Sequence, residues 1–325
     1  MIIRKICILG GSGFVGQTLA NRLTREGFRI KVLTRRREKH KVNLILLPTL
    51  DLVQADIHNQ DQLVENFADC DAVINLVGIL NERGRKGHGF EKVHVELTQK
   101  IINACVHTGV RRIIHVSALN ADADNAPSYY LKTKGQAEDM LLAASGQGIK
   151  ITIFRPSVIF GHNDSFFNRF ARLLKLTPVF FPLACPHAKF SPVFVEDVAE
   201  VLARSIKDPD SYGKKYDLCG PHVYSLQSLV EYTIKQLGIN RKVLALNDIL
   251  SRLQATVFDF VPGKPFSTDN YLSTRIDSIC KNNGFEFFKI IPTALEAVVP
   301  QYLSNKFQRA RYDLFRSESG RINSA

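Results

Sequence analysis

The stretch GGSGFVG, residues 10–16, follows the apolar run IRKICIL and precedes the amphipathic QTLANRLTREGF. Two glycine patterns overlap in it: Gly11, Gly13 and Gly16 make G-x-G-x-x-G, and Gly10, Gly13 and Gly16 make G-x-x-G-x-x-G. Such turns are common, and only their context gives them meaning. Here an apolar strand comes before, an amphipathic helix after, and a further strand at RIKVLT, which is the setting of a dinucleotide pyrophosphate turn. Glycine allows positive φ and close approach of phosphate, whose charge then faces the helix N-terminus.

Working outward, the first 160 residues alternate short apolar runs with amphipathic stretches, the βαβ signature of a parallel sheet. Strands are expected at KICIL, RIKVLT, LVQAD, AVINLVG, RRIIHVSA and KITIFRP, and helices at 14–26, about 60–67, 91–108 and 128–146. Pro127 and the SGQG run punctuate the last of these helices. Beyond residue 160 the rhythm changes. FFNRFARLLKL reads as a helix, TPVFFPLACPHAKFSP as a Pro-rich loop, VEDVAEVLARSI as a helix and KKYDLCG as a strand, with further helices to about 305. The expected fold class is α/β: a doubly wound parallel (Rossmann) sheet with a smaller, partly interleaved C-terminal α/β domain. Residues 1–160 form the nucleotide domain, to which 191–219 return. Residues 161–190 and 220–312 form the second domain, and 313–325 read as a disordered tail.

The end of the second strand selects the cofactor. It reads VLTRRR, with no acid before Glu38. An acid there would bind a ribose 2′-hydroxyl and repel a 2′-phosphate, whereas Arg35, Arg36 and Arg37 offer forked donors to that phosphate. NADP(H) is therefore favoured over NAD(H). A surface basic run remains the alternative for one or two of the three arginines.

SYYLKTKGQAED places Tyr130 and Lys134 four residues apart, on one helix face. A phenol with pKa ~10 is a poor base at neutral pH, and a nearby ammonium favours its phenolate, making it a working acid/base at a carbonyl. Y-x-x-x-K alone is a frequent accident; on the helix after strand five of a glycine-fingerprint domain it carries weight.

In order, GGSGFVG, LTR, QAD, INLVG, HVSA, YLKTK and FRPSVIFG give the chain its family likeness: it resembles an extended or atypical short-chain dehydrogenase/reductase of the NAD-dependent epimerase/dehydratase type. FEKVHVELTQKIINAC, GVRRIIHVSALNADADNAPSYYLKTKGQAE, RPSVIFGHNDSFFNRFARLLK, FSPVFVEDVAEVL, STDNYLS and LEAVVPQYL resemble the branch containing the dehydrogenase-like accessory subunit of respiratory complex I and its bacterial relatives. The likeness covers about residues 4–305. It implies that Gly10, Gly13 and Gly16, with Gly11, Ser12, Phe14 and Val15 between them, hold the pyrophosphate. Arg35 and Arg36 would take the 2′-phosphate and Asp56 with Ile57 the adenine edge. Leu76, Val77 and Gly78 would lie near the nicotinamide-side ribose, Tyr130 and Lys134 would form the active pair, and Pro156 and Val158 would line the nicotinamide. One departure stands out. The catalytic Ser or Thr of extended members lies two positions beyond the strand-end serine. If Ser117 is that serine, the slot holds Leu119, which has no donor; Ser117 serves only in a looser register. An absent donor weakens stabilisation of the reacting oxygen.

Forty-three Lys and Arg against thirty-one Asp and Glu give a net charge of +12, which suits an anionic cofactor, an acidic membrane surface or an acidic partner. The cations cluster at RRREKHK (35–41), NERGRKGH (81–88) and a tail with Lys306, Arg309, Arg311, Arg316 and Arg321. Without interleaved aromatics or a nucleic-acid module, DNA or RNA is a minor option. No apolar run approaches the ~20 residues of a membrane span. Six scattered cysteines without a C-x-x-C pair read as reduced, mostly buried thiols, and the histidines show no metal-type spacing, so no metal is expected. His162 reads as a solvated loop residue. The aromatic run FDFVPGKPF (258–266) reads as core or interface, with an apolar edge for a partner or bilayer as the alternative. MIIRKICILG runs straight into the glycine turn and reads as strand rather than signal; with no Arg- and Ser-rich leader, a bacterial cytoplasmic location, peripheral to the inner membrane, is expected. Three uses of the fold stay open at this point: a nucleotide held for assembly in a quinone-linked complex; NADP-dependent oxidoreductase or epimerase/dehydratase chemistry on an unidentified substrate; or a redox-sensing regulator whose nucleotide state alters partner binding, with Tyr130 and Lys134 kept for ribose contact only.

Overall fold

A computed structural model describes residues 2–44 and 47–304. The chain divides into two compact units: Met1–Pro156, Glu196–Leu218 and Asn282–Ile290 in the first, Ser157–Val195, Cys219–Lys281 and Ile291–Ala325 in the second. The tail and its basic residues lie outside the described residues.

The first unit is built on seven strands: β1 (Lys5–Leu9), β2 (Arg29–Thr34), β3 (Leu50–Gln54), β4 (Ala72–Asn75), β5 (Arg112–Val116), β6 (Lys150–Pro156) and β7 (Lys214–Leu218). Their order is β7-β6-β5-β4-β1-β2-β3 and every pairing is parallel. A parallel sheet is covered on both faces, which is why Ile6, Cys7, Ile8 and Leu9 of β1 are all fully buried rather than alternating with polar residues. The helices between the strands are α1 (Phe14–Arg25), α2 (Arg37–Leu44), α3 (Gln60–Phe67), α4 (Leu97–Thr108), α5 (Tyr129–Ala144) and α6 (Val195–Ser205). Strand order reverses between β1 and β4, and at such a switch point the carboxyl ends of the strands leave a crevice for a ligand.

Two local features depart from the sequence pattern. The basic run after β2 enters α2 at Arg37, whose guanidinium donates to the Leu52 carbonyl (2.9 Å) and whose backbone N–H reaches Gln54 Oε1 (3.4 Å). One of the three arginines thus has a structural task. The second is α5, which starts at Tyr129 with Ser128 as its N-cap, so Pro127 stands outside the first turn. In the first unit, Phe285 and Phe288 are buried, and Phe288 packs on Phe154 and Tyr216 (centroids 5.7 and 5.1 Å); this contact is what ties Asn282–Ile290 to the sheet.

The second unit has its own core, in which Phe160, Phe167, Leu174, Leu229, Val230 and Val299 are buried. Within the stretch expected as loop, Phe180–Leu183 is a strand pairing in parallel with Lys242–Ala245, and Lys189–Phe190 pairs antiparallel with Tyr224–Ser225. These partners are distant in sequence, so local composition shows only the prolines. The reading of all six cysteines as thiols needs correction too. Cys219 and Cys280, 61 residues apart, form a disulfide inside this unit, while Cys7, Cys70, Cys105 and Cys185 are free. The fold brings the pair together, and nothing in their spacing signals it. Among the described residues no helix is long and apolar enough to cross a membrane.

Candidate dinucleotide site

Gly10 ends the β1 turn at φ 77°, a left-handed conformation that favours glycine, and its carbonyl accepts from Gly13 N (3.0 Å). Gly13 is the N-cap of α1 and provides no side-chain cap, so the first-turn N–H groups are left for an external acceptor. A Cβ on Gly16 would stand 2.4 Å from Gly11 Cα and 2.5 Å from the Gly10 carbonyl oxygen, and one on Gly11 would meet Val32 at 2.8 Å. These glycines therefore serve backbone approach: α1 sits closer to the turn than any side chain allows. The cradle fits a pyrophosphate.

At the carboxyl ends of β2 and β3 lies a cavity of about 580 Å³ lined by Arg35, Gln54, Ala55, Asp56, His58, Gln62 and Lys92. Arg35 and Arg36 are exposed, and their guanidinium groups form no hydrogen bond or ion pair among the described residues. Asp56 is held by its backbone N–H on Gln62 Oε1 (2.7 Å), and its carboxylate accepts from His58 N (3.0 Å). Burial lowers the His58 pKa, with Asp56 opposing and Lys92, Lys100 and Arg35 adding to the fall. His58, Gln62 and Lys92 carried no sequence signal; the cavity alone assembles them.

At the other end, Lys134 is buried and donates to the carbonyls of Val116 (3.0 Å) and Val77 (3.4 Å), bridging the ends of β4 and β5. A Cβ on Gly78 would lie 3.3 Å from its Nζ. Tyr130, half-buried, is one turn away on α5, with its ring edge-on to His94 (5.6 Å) and to Phe90 (6.1 Å). Gly135 locks this helix in place: a Cβ there would meet the backbone of Asp122 and Ala123 at 2.3–2.4 Å. His94 lies in a π-helical turn, Glu91–Glu96, that leads into α4. Its Nε2 accepts from Ile79 N (3.3 Å), which leaves Nδ1–H to donate to Thr133 Oγ1 (2.9 Å). Burial, then the charge of Lys134, holds its pKa down at about 2, so it stays neutral. His115 is likewise kept neutral by burial and Lys134, and Asn75 Nδ2 donates to its Nδ1 (3.1 Å). Sequence spacing had shown these two histidines only as poor metal ligands; the signal for their role is three-dimensional.

Ser117 stands just past the end of β5, 4% exposed, and its Oγ has no hydrogen-bond partner among the described residues. A buried hydroxyl without a partner costs free energy and suggests an acceptor or donor from outside the chain. Leu119 is buried, with its backbone N–H on the Pro156 carbonyl (3.1 Å) and no donor on its side chain. Leu76 and Val77 are half-buried at the end of β4, where Val77 N donates to Asn75 Oδ1 (3.1 Å). Pro156 closes β6, whereas Val158 belongs to the second unit, its carbonyl accepting from Val193 N (2.9 Å). His162 is exposed, with Nδ1 3.2 Å from Asn163 Oδ1.

Burial lowers the Lys134 pKa to about 8, with Glu138 pulling the other way. The folded value lies below the ordinary 10.5, so the unfolded chain binds more protons between the two. Ionised Lys134 therefore costs stability at neutral pH, and the cost is relieved as pH rises from about 8 towards 10.5. The melting temperature of the nucleotide-free protein, measured against that of Lys134→Met, is expected to gain across this window. A difference that stays flat with pH contradicts the assignment.

A glycine cradle at the head of α1, a basic end to β2 and a Tyr–Lys pair on the helix after β5 define an extended short-chain dehydrogenase/reductase. The chain belongs to the 3-beta hydroxysteroid dehydrogenase/isomerase family, whose model matches residues 7–246. It is 30% identical over 297 residues to the mitochondrial NADH dehydrogenase (ubiquinone) 1 alpha subcomplex subunit 9 of Mus musculus, covering 89% of this chain and 77% of that one. The Arabidopsis thaliana protein of the same name is 27% identical over 312 residues, covering 91% and 76%. Among solved structures, a nucleoside-diphosphate-sugar epimerase from Staphylococcus aureus superposes with a TM-score of 0.71 at 21% identity, covering 91% of this chain and 99% of that one.

Proposed function

We propose that this protein holds NADP(H) as a tightly bound nucleotide and serves an accessory or assembly role in a quinone-linked respiratory complex, peripheral to the membrane. The observation that carries the nucleotide reading is the cavity at the ends of β2 and β3, lined by Arg35 with no acid on β2 to oppose a 2′-phosphate. Gly10–Gly16 would take the pyrophosphate, Arg35 and Arg36 the 2′-phosphate, and Asp56 with Ile57 the adenine side. Gly78, Ser117 and Lys134 would take the nicotinamide ribose and its neighbourhood. When bound, the nicotinamide supplies or accepts a hydride. A nucleotide that binds only the native state stabilises it by mass action, with no turnover required. The likeness to the mouse and Arabidopsis subunits supports the accessory role.

One observation favours a second reading, catalysis. The unpartnered Ser117 hydroxyl lies next in sequence to Val116, whose carbonyl receives Lys134, so a donor is on hand although Leu119 supplies none. In that reading Tyr130 moves a proton at a substrate oxygen, and the Lys134 ammonium favours its phenolate.

Tyr130→Phe separates the two. Held nucleotide predicts NADPH affinity within about threefold of wild type, under ~1 kcal/mol, and an unchanged cellular phenotype. Loss of the phenotype with binding intact would sink the holding role and leave catalysis.

A further inference from the structure

The helix Asp248–Phe258 in the second unit packs its small side chains inward and presents its large apolar ones to solvent. Ser251 and Ala255 are 1% and 0% exposed, whereas Ile249 is 77%, Leu253 57%, Val257 52% and Phe260, just past the helix, 72%. Continued at helical spacing, these four fall within an arc of about 80°. Gln254 Nε2 on the Pro182 carbonyl (3.2 Å) and Cys185 N on Ser251 Oγ (3.1 Å) fix the helix beside the small sheet of Phe180–Leu183 and Lys242–Ala245. The sheet adds Phe180 (58%) and Leu244 (53%), and Lys242 stands in register with Phe180. Exposed apolar side chains gathered on one helix face, rather than scattered singly, are the mark of an interaction site.

The charged residues of the adjoining segments are mostly basic. Residues 165–195 contain no Asp or Glu but do contain Arg169, Arg172, Lys175 and Lys189. Residues 240–268 contribute Arg241, Lys242, Arg252 and Lys264 against Asp248 and Asp259. Both acids accept internal hydroxyls, from Tyr271 and Thr268 respectively, at 2.7 Å.

We propose that this face docks on an anionic lipid bilayer. The arc from Ile249 to Phe260 enters the boundary of the acyl chains, and Lys175, Lys242 and Arg252 meet headgroup phosphates. An apolar stripe with cationic flanks is what lies in the plane of a membrane interface, and each cation near an anionic surface strengthens binding. The proposal deepens the peripheral placement given above, and none of it depends on the nucleotide residues.

The test is sedimentation of the full chain with vesicles of phosphatidylglycerol and phosphatidylcholine in equal parts, and with phosphatidylcholine alone. Binding is expected to be at least about tenfold tighter to the anionic vesicles. Ile249→Asp with Leu253→Asp should lower it by about tenfold or more, and Lys242→Glu with Arg252→Glu should do likewise. Melting temperature and NADPH affinity should stay at their wild-type values in both double variants, which keeps this test separate from failure of the nucleotide reading. Equal binding by variants and wild type overturns the proposal. So does absence of vesicle binding by wild type, whether the face then proves to join two copies of the chain or to take a protein partner.

Discussion

Gly16→Ala is expected to abolish nucleotide binding and to destabilise the first unit by roughly 3 kcal/mol or more, the upper end of the cost of overpacking. The added methyl would meet Gly11 Cα at 2.4 Å, the Gly10 oxygen at 2.5 Å and the Gly11 carbonyl carbon at 2.6 Å. All three are backbone atoms of the turn itself, so no side chain can swing away to make room. Either α1 withdraws from the turn or the turn opens, and both move the N–H groups that would face a pyrophosphate. Gly27→Ala is the control. Gly27 also ends a helix–strand connection, at φ 80°, but a Cβ there meets nothing within 4 Å. Its cost is that of a left-handed alanine, about 1–2 kcal/mol, with NADPH affinity preserved. Thermal melting and calorimetric titration of both variants check this. If Gly16→Ala binds NADPH as wild type does, the turn is not the phosphate cradle.

Arg35→Ala should weaken NADPH by about ten- to a hundredfold, ~1.4–2.8 kcal/mol, and NADH by less than about threefold. Arg35 lines the cavity, is exposed and makes no side-chain hydrogen bond or ion pair among the described residues, so its removal costs the fold little. Arg37 behaves differently: it holds the Leu52 carbonyl, and Arg37→Ala is a stability change before it is a binding change. The contrast between NADPH and NADH is the informative quantity, because a general loss of positive potential weakens both. Equal losses would remove the 2′-phosphate from the account.

The features legible in the sequence are those set by short-range chemistry. The glycine turn, the alternating strands and helices and the four-residue spacing of Tyr130 and Lys134 all report on neighbours along the chain, and the seven-stranded parallel sheet follows from them. What was not legible depends on distant contacts. Gly135 reads as an ordinary helix glycine until Asp122 and Ala123 are seen pressed against it. His94 gains its place between Ile79 and Thr133 through a π-helical turn, which periodicity at 3.6 residues does not register. The Cys219–Cys280 disulfide and the strand at Phe180–Leu183 both need partners about 60 residues away. Sequence also left Ser117 as a residue in a doubtful register. Only the structure shows its hydroxyl buried without a partner, which is why the catalytic reading stays alive beside Leu119.

The central claim is that this fold holds NADP(H), and the nucleotide carried by the freshly purified protein tests it most directly. Mass spectrometry of the supernatant after denaturation should show NADP⁺ or NADPH at close to one equivalent per chain, surviving gel filtration. NAD⁺ or NADH in its place would contradict the 2′-phosphate assignment at Arg35. A chain that carries no dinucleotide, and takes up none on incubation with NADPH, would contradict the account as a whole.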